Sequence, residues 1–182
     1  MNLPNSLSLL RIILVPIIII CLIQGQHINA LVLFLIAGIT DALDGFFARV
    51  LHQKSVLGAY LDPLADKALI ASTFITLSVV GSIPAWLTVI VISRDFIILL
   101  GISVLTLLSI RFEVRPALVS KLTTAFQLLT VSLTMLFYSF PLHLDRGYLS
   151  VVYWLTAALT VASGLNYLVR GIGFINNAST RA

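Results

Sequence analysis

Polar residues in this chain interrupt long apolar runs instead of alternating with them, so neither a strand period nor a soluble amphipathic period dominates. Six runs stand out, over residues 6–23, 30–51, 56–80, 85–109, 117–140 and 148–168. A bilayer crossing takes about 20 mostly apolar residues, and each run meets that length. The pattern predicts an all-α integral membrane protein of about six transmembrane helices with short connections. Asn5 or Ser6 supplies a start for the first helix. Arg11 sits too deep in the first run for a signal-peptide n-region, and no small-residue cleavage pattern follows, so that run is expected to be retained. Residues 24–29 are polar without Lys or Arg, residues 81–84 form an uncharged turn, and Arg111, Glu113 and Arg115 mark a polar connection ended by Pro116. Residues 141–147 lead into the last run. No repeat, heptad seam or low-complexity segment stands out.

Composition strengthens this picture. Of 182 residues, 59% are hydrophobic and 10% charged, with a mean hydropathy of +1.09. Six crossings leave nothing for a soluble domain, so residues 1–182 are read as one membrane domain. The single cysteine, Cys21, excludes an intrachain disulfide and sits in an apolar run. A net charge of +4 suits anionic headgroups and anionic substrates. It does not indicate nucleic acid, because no dense basic patch is interleaved with aromatics.

Basic residues set the orientation. With the N-terminus inside, the cytoplasmic side receives Lys54, Arg111, Arg115, Arg170 and Arg181, with Arg11, Arg49, Lys67 and Lys121 near inner helix ends. The outer connections hold only Arg146. Both termini are therefore expected in the cytoplasm. Trp86, Trp154, Tyr148 and Tyr153 fall near expected interfaces, where an aromatic belt explains them. His27, His52 and His143 lie near expected helix ends without matching partners, which favours loop or interface roles over metal ligation.

Candidate chemistry concentrates between Asp41 and Asp66, which holds four of the seven acidic residues. On a helix, Asp41, Asp44, Gly45, Ala48 and Arg49 share one face. After a break at residues 52–55, Gly58, Asp62 and Asp66 recur at intervals of four and share another. Two antiparallel helices would aim all four carboxylates at one volume. A carboxylate facing lipid costs roughly 2.5 to 3.5 kcal/mol on the insertion scale, so this volume must be wet. Converging carboxylates repel, and they take up protons or bind cations. An all-oxygen ligand set favours magnesium, manganese or calcium over zinc, and a pair of ions would leave positions open for phosphate oxygens. Gly45, Ala48 and Gly58 remove bulk beside the acids, so a large polar ligand can approach the backbone.

The stretch carries the pattern D-x2-D-G-x2-A-R-x8-G-x3-D-x3-D without gap or substitution, and so resembles the CDP-alcohol phosphatidyltransferase family, closest to its cardiolipin synthase and phosphatidylglycerophosphate synthase members. An EF-hand needs D-x-D-x-D-G spacing in a polar loop, which is missing. Pro4, Asn5, Leu7 and Arg11 resemble the family's usual entry, although a snorkelling cation explains Arg11 equally well. The resemblance implies transfer of the phosphatidyl group of CDP-diacylglycerol to an alcohol, with release of CMP. It implies two ions, Mg2+ or Mn2+, on Asp41, Asp44 and Asp62 with Asp66 close by, and Asp66 as general base. It assigns Gly45, Ala48, Arg49 and Gly58 to the nucleotide and diphosphate, and Arg94 and Lys121 to the acceptor. Homodimerisation and a bacterial inner-membrane location are also expected from it.

Members that use glycerol 3-phosphate typically carry a second Arg eight residues after the one matched by Arg94, and a K-x-K starting at the position of Lys121. This chain has Ile102 and Thr123 there. A free phosphate monoester carries nearly two charges at neutral pH, so two missing cations weaken its capture. Residues 119–127 with Arg94 and Asp95 are instead similar to the cardiolipin synthases, which use phosphatidylglycerol. Phosphatidylglycerol is the expected acceptor, glycerol 3-phosphate the alternative. Arg94 is expected either to reach the acceptor phosphate or to form a membrane ion pair. A cation transporter built on the same carboxylates is a distant alternative, because transport has no need of Gly45 and Ala48 beside the acids.

Overall fold

In the computed structural model the chain forms six helices: α1 Leu3–Ile23, α2 His27–Val50, α3 Val56–Val79, α4 Ala85–Leu107, α5 Leu118–Ser139 and α6 Gly147–Ser179. The backbone is described for residues 3–50, 56–107, 118–140 and 147–179, and side chains for 10–40, 65–103, 118–140, 147–171 and 173. Among these residues there is no strand. Each expected run has its helix, with ends shifted by a few residues except at α6. That helix continues past Leu168 and Arg170 to Ser179, because no proline interrupts it and falling hydropathy does not end a hydrogen-bonded ladder. Its 33 residues span about 50 Å, more than the roughly 30 Å of a hydrocarbon core.

Two turns show why the helices stop. After α1, the Gly25 amide donates to the Leu22 carbonyl (3.1 Å) and the Gln26 amide to the Cys21 carbonyl (2.8 Å). This is a Schellman cap, and Gly25 adopts the left-handed φ of 71° that it requires. The same geometry ends α3, where Gly81 has φ 76° and the Ser82 amide donates to the Leu77 carbonyl at 2.8 Å. At α1 the consequence is a tight hairpin into α2.

The chain packs as two compact units, Met1–Ala85 with Val131–Leu144, and Trp86–Thr130 with Asp145–Ala182. In the first, α1 packs against both α2 and α3. Its buried stripe is Arg11, Leu14, Ile18 and Leu22; that of α2 is Ala30, Phe34 and Ala37; that of α3 includes Leu69, Thr73 and Thr76. Small Ala30 and Ala37 let helix backbones approach closely, which drives association where lipid tails are as apolar as leucine. In this unit the His27 ring of α2 sits 5.5 Å from that of Tyr138 of α5, an interhelical contact that sequence spacing did not reveal.

In the second unit the α5–α6 interface is polar. Thr123, Gln127 and Thr130 of α5 and Thr156, Thr160 and Ser163 of α6 are all buried, at alternating spacings of four and three. The Thr130 and Thr156 hydroxyls are 2.7 Å apart, and Gln127 Nε2 donates to Thr160 Oγ1 at 3.4 Å. A heptad seam therefore exists after all, with its polarity inverted. A search for apolar periodicity passes over it, because the residues between are apolar too.

Large apolar side chains cover the surface, including Ile13, Ile17, Val79, Val89, Phe96 and Val169. By length and composition, three described segments can cross a membrane: Ala85–Ser103, Leu118–Ser139 and Gly147–Gly171. Leu10–Ile23 and His27–Thr40 are shorter apolar helices. An apolar exterior around threonine-lined interfaces is the arrangement of a membrane protein. Trp86 and Trp154, expected at an interface, pair with each other, their ring centroids 4.7 Å apart.

Candidate active site

In the first unit the buried stripe of α1 runs from apolar to charged toward one end. On α1 the stripe Leu22, Ile18, Leu14 ends at Arg11. On α2 the register of Ala30, Phe34 and Ala37 continues at Asp41 and Asp44. On α3 the register of Thr76, Thr73 and Leu69 runs back to Asp66 and Asp62. Arg11 lies early in α1, Asp41 and Asp44 late in α2, and Asp62 and Asp66 early in α3. The packing of α1 on α3 brings the part of α1 that carries Arg11 beside the part of α3 that carries Asp66. Gly45, Ala48 and Arg49 occupy the last turns of α2, and Gly58 the first turn of α3. The side chains of Asp41, Asp44, Arg49 and Asp62, and residues 51–55, lie outside the described residues.

Asp66 shows a feature that spacing did not reveal. Arg11, fully buried at 0% exposure, donates from its guanidinium to Asp66 Oδ1. The Asp66 side chain is itself 41% exposed. The contact thus joins a fully buried cation to a partly exposed carboxylate. The snorkelling role weighed for Arg11 is not what is found, because a snorkelling cation keeps its head in water.

The acceptor candidates stand in the second unit. Arg94 is 4% exposed and ties three helices together. It donates to Asp95 Oδ1 at 2.7 Å, to Ser120 Oγ at 2.6 Å and to Ser163 Oγ at 2.8 Å. The Tyr167 ring centroid lies 5.9 Å from its Cζ. At Gly164 a Cβ would stand 3.5 Å from Arg94 Cγ, so α6 passes close against the arginine stem. The pair with Asp95 anticipated for Arg94 is present. Lys121 is exposed in the first turn of α5, next to Ser120. Ile102 is half-buried on α4. Thr123 is fully buried, its hydroxyl 2.8 Å from the Val119 carbonyl and 3.0 Å from that of Leu159. His52 and His143 lie outside the described residues.

Lysine at position 94 would keep the charge but lose the planar fork that reaches Asp95, Ser120 and Ser163 together. Arg94→Lys is expected to lower stability by about 1–3 kcal/mol through lost buried hydrogen bonds, read as a lower melting temperature in detergent. An unchanged melting temperature would show that the three-helix tie contributes nothing.

The family model of the CDP-alcohol phosphatidyltransferases matches residues 1–162. The chain belongs to the CDP-alcohol phosphatidyltransferase family. It is 38% identical over 178 residues to a protein of Mycobacterium tuberculosis named "Probable phosphatidylglycerophosphate synthase", covering 94% of this chain and 82% of that one. It is 36% identical over 182 residues to the human cardiolipin synthase (CMP-forming), covering 91% of this chain but 60% of the human protein. It is 33% identical over 182 residues to the CDP-diacylglycerol–glycerol-3-phosphate 3-phosphatidyltransferase of Bacillus subtilis, covering 91% and 93%. The chain is thus a phospholipid-synthesising phosphatidyltransferase. Within this CDP-alcohol phosphatidyltransferase the residue that motif reading missed as a partner is Arg11. The available signal was its depth in an apolar run: a charge there needs a counterion or a cavity.

Proposed function

We propose that this phosphatidyltransferase joins the phosphatidyl group of CDP-diacylglycerol to the free glycerol hydroxyl of phosphatidylglycerol, forming cardiolipin and releasing CMP. Thr123 carries the choice of acceptor. Where glycerol 3-phosphate users have the second lysine of K-x-K, this chain has a hydroxyl spent on backbone carbonyls inside the α5–α6 seam. Ile102 adds no cation on α4. The resemblance assigns Lys121 and Arg94 to a phosphodiester, which bears one charge; of the two, Lys121 is exposed, whereas Arg94 is buried and donates to Asp95, Ser120 and Ser163. The second reading, glycerol 3-phosphate giving phosphatidylglycerophosphate, is favoured by the names of the Mycobacterium tuberculosis and Bacillus subtilis relatives.

In this reading Asp66 takes the proton of the acceptor hydroxyl, a task for a carboxylate within hydrogen-bond reach. The hydroxyl oxygen forms a bond to the phosphorus that bears diacylglycerol, and the bond from that phosphorus to the CMP oxygen breaks. Gly45, Ala48, Arg49 and Gly58 hold the nucleotide and diphosphate. Asp41, Asp44 and Asp62, with Asp66 beside them, form an all-oxygen donor set that fits Mg2+ or Mn2+. Two such ions would supply neutralisation of the diphosphate and of charge on the departing CMP. The surrounding assembly belongs to the proposal too: six crossings, both termini and the active site on the cytoplasmic side of a bacterial inner membrane, and a homodimer. The bias of Lys and Arg toward one side supports the orientation.

The test is product analysis by mass spectrometry of purified protein with CDP-diacylglycerol and magnesium, offered glycerol 3-phosphate in one tube and phosphatidylglycerol in another. Cardiolipin and CMP from the second tube alone is the expected result. Phosphatidylglycerophosphate from the first would overturn the acceptor assignment and leave the donor chemistry standing.

A further inference from the structure

We infer that Arg11 is the positioning residue for Asp66, holding that carboxylate in the orientation needed to receive the acceptor's proton; the inference rests on the role proposed above for Asp66. Three observations carry it. The two residues are 55 positions apart, on different helices, yet meet through a guanidinium–carboxylate contact. Arg11 is fully buried, whereas the Asp66 side chain is 41% exposed, so an enclosed cation holds a carboxylate that reaches the surface. The Arg11 stripe continues through Leu14, Ile18 and Leu22, so α1 packing sets the height and rotation of the guanidinium.

The choice of arginine has a physical reason. Guanidinium stays charged at any working pH, and its planar donors fix the direction of a bound carboxylate, as the rotating ammonium of lysine does not. A base a fraction of an ångström out of place loses much of its effect, since proton transfer demands near-attack geometry. A purely structural ion pair would not need the Asp66 side chain to stay 41% exposed.

The experiment compares Arg11→Gln, Arg11→Lys, Asp66→Asn and the double variant Arg11→Gln/Asp66→Asn, in steady-state CMP release with the donor and acceptor each varied. Arg11→Gln is expected to lower kcat by about 10- to 100-fold with both KM values within about twofold of the parent, the signature of an interaction used in the transition state. Arg11→Lys, which keeps the charge but not the fork, should lose about 3- to 10-fold in kcat. The double variant should match the residual rate of Asp66→Asn if the effect of Arg11 on turnover passes through that carboxylate, as inferred. A parent-like kcat in either Arg11 variant, or a double variant slower than Asp66→Asn by the full Arg11→Gln factor, would overturn the inference. If Arg11→Gln does not fold, Arg11→Lys and the double variant, which removes both charges together, decide the question. Parent-like turnover by Asp66→Asn would instead remove the base assignment itself, a separate failure from normal turnover in the Arg11 variants.

Discussion

Asp66→Asn is expected to lose about 100- to 10,000-fold in turnover, the usual contribution of a positioned general base, while divalent ions still bind. Asparagine copies the shape of the carboxylate but cannot accept the acceptor's proton. Three carboxylates of the motif stay in place, so Mn2+ titration followed by electron paramagnetic resonance should show ion binding largely retained. The substitution also takes the anion from Arg11, a fully buried cation. Breaking a buried pair costs about 3–5 kcal/mol, but Asp66 is 41% exposed and water screens its side of the pair, so about 1–2 kcal/mol of stability is the expected loss. Low turnover with ions bound and a modest drop in melting temperature is therefore the predicted combination. Near-normal turnover would remove Asp66 from the chemistry.

Asp41→Ala should fail in another way. Asp41 continues the register of Ala30, Phe34 and Ala37 on α2, one helical step before Asp44. Removing it takes a ligand from the proposed ion set, and ion affinity should fall by more than the roughly 10- to 100-fold that outer-shell changes cause. Activity should disappear with the ions. The protein without ions should melt no lower than the parent without ions, because one of four repelling carboxylates is gone. Unchanged Mn2+ affinity in Asp41→Ala would rule out the proposed ligand set.

Individual residues show what was legible in the chain itself. Asp41, Asp44, Asp62 and Asp66 stand at helical intervals, and all four positions lie on helices, α2 and α3, as those intervals imply. Helical periodicity is local, so sequence reveals it. The Arg11–Asp66 contact joins residues 55 apart, and no local period encodes a contact between helices. The α5–α6 seam was hidden for a different reason. In a chain surrounded by lipid the outward residues are apolar, and the packed interface carries Thr123, Thr130, Thr156 and Thr160, reversing the soluble pattern. Arg94 was legible as a charge in need of partners, and Asp95 as one of them, but Ser120 and Ser163 reach it from helices whose packing the sequence does not state.

The central claim is that a phosphatidyl group passes from CDP-diacylglycerol to an alcohol. The most direct measurement is the stoichiometry of CMP against new phosphodiester lipid, made by purified protein with magnesium and again after chelation. One CMP per lipid product, abolished by chelation and by Asp66→Asn, is predicted. CMP without lipid product, or lipid product that survives loss of both the ions and Asp66, would contradict it.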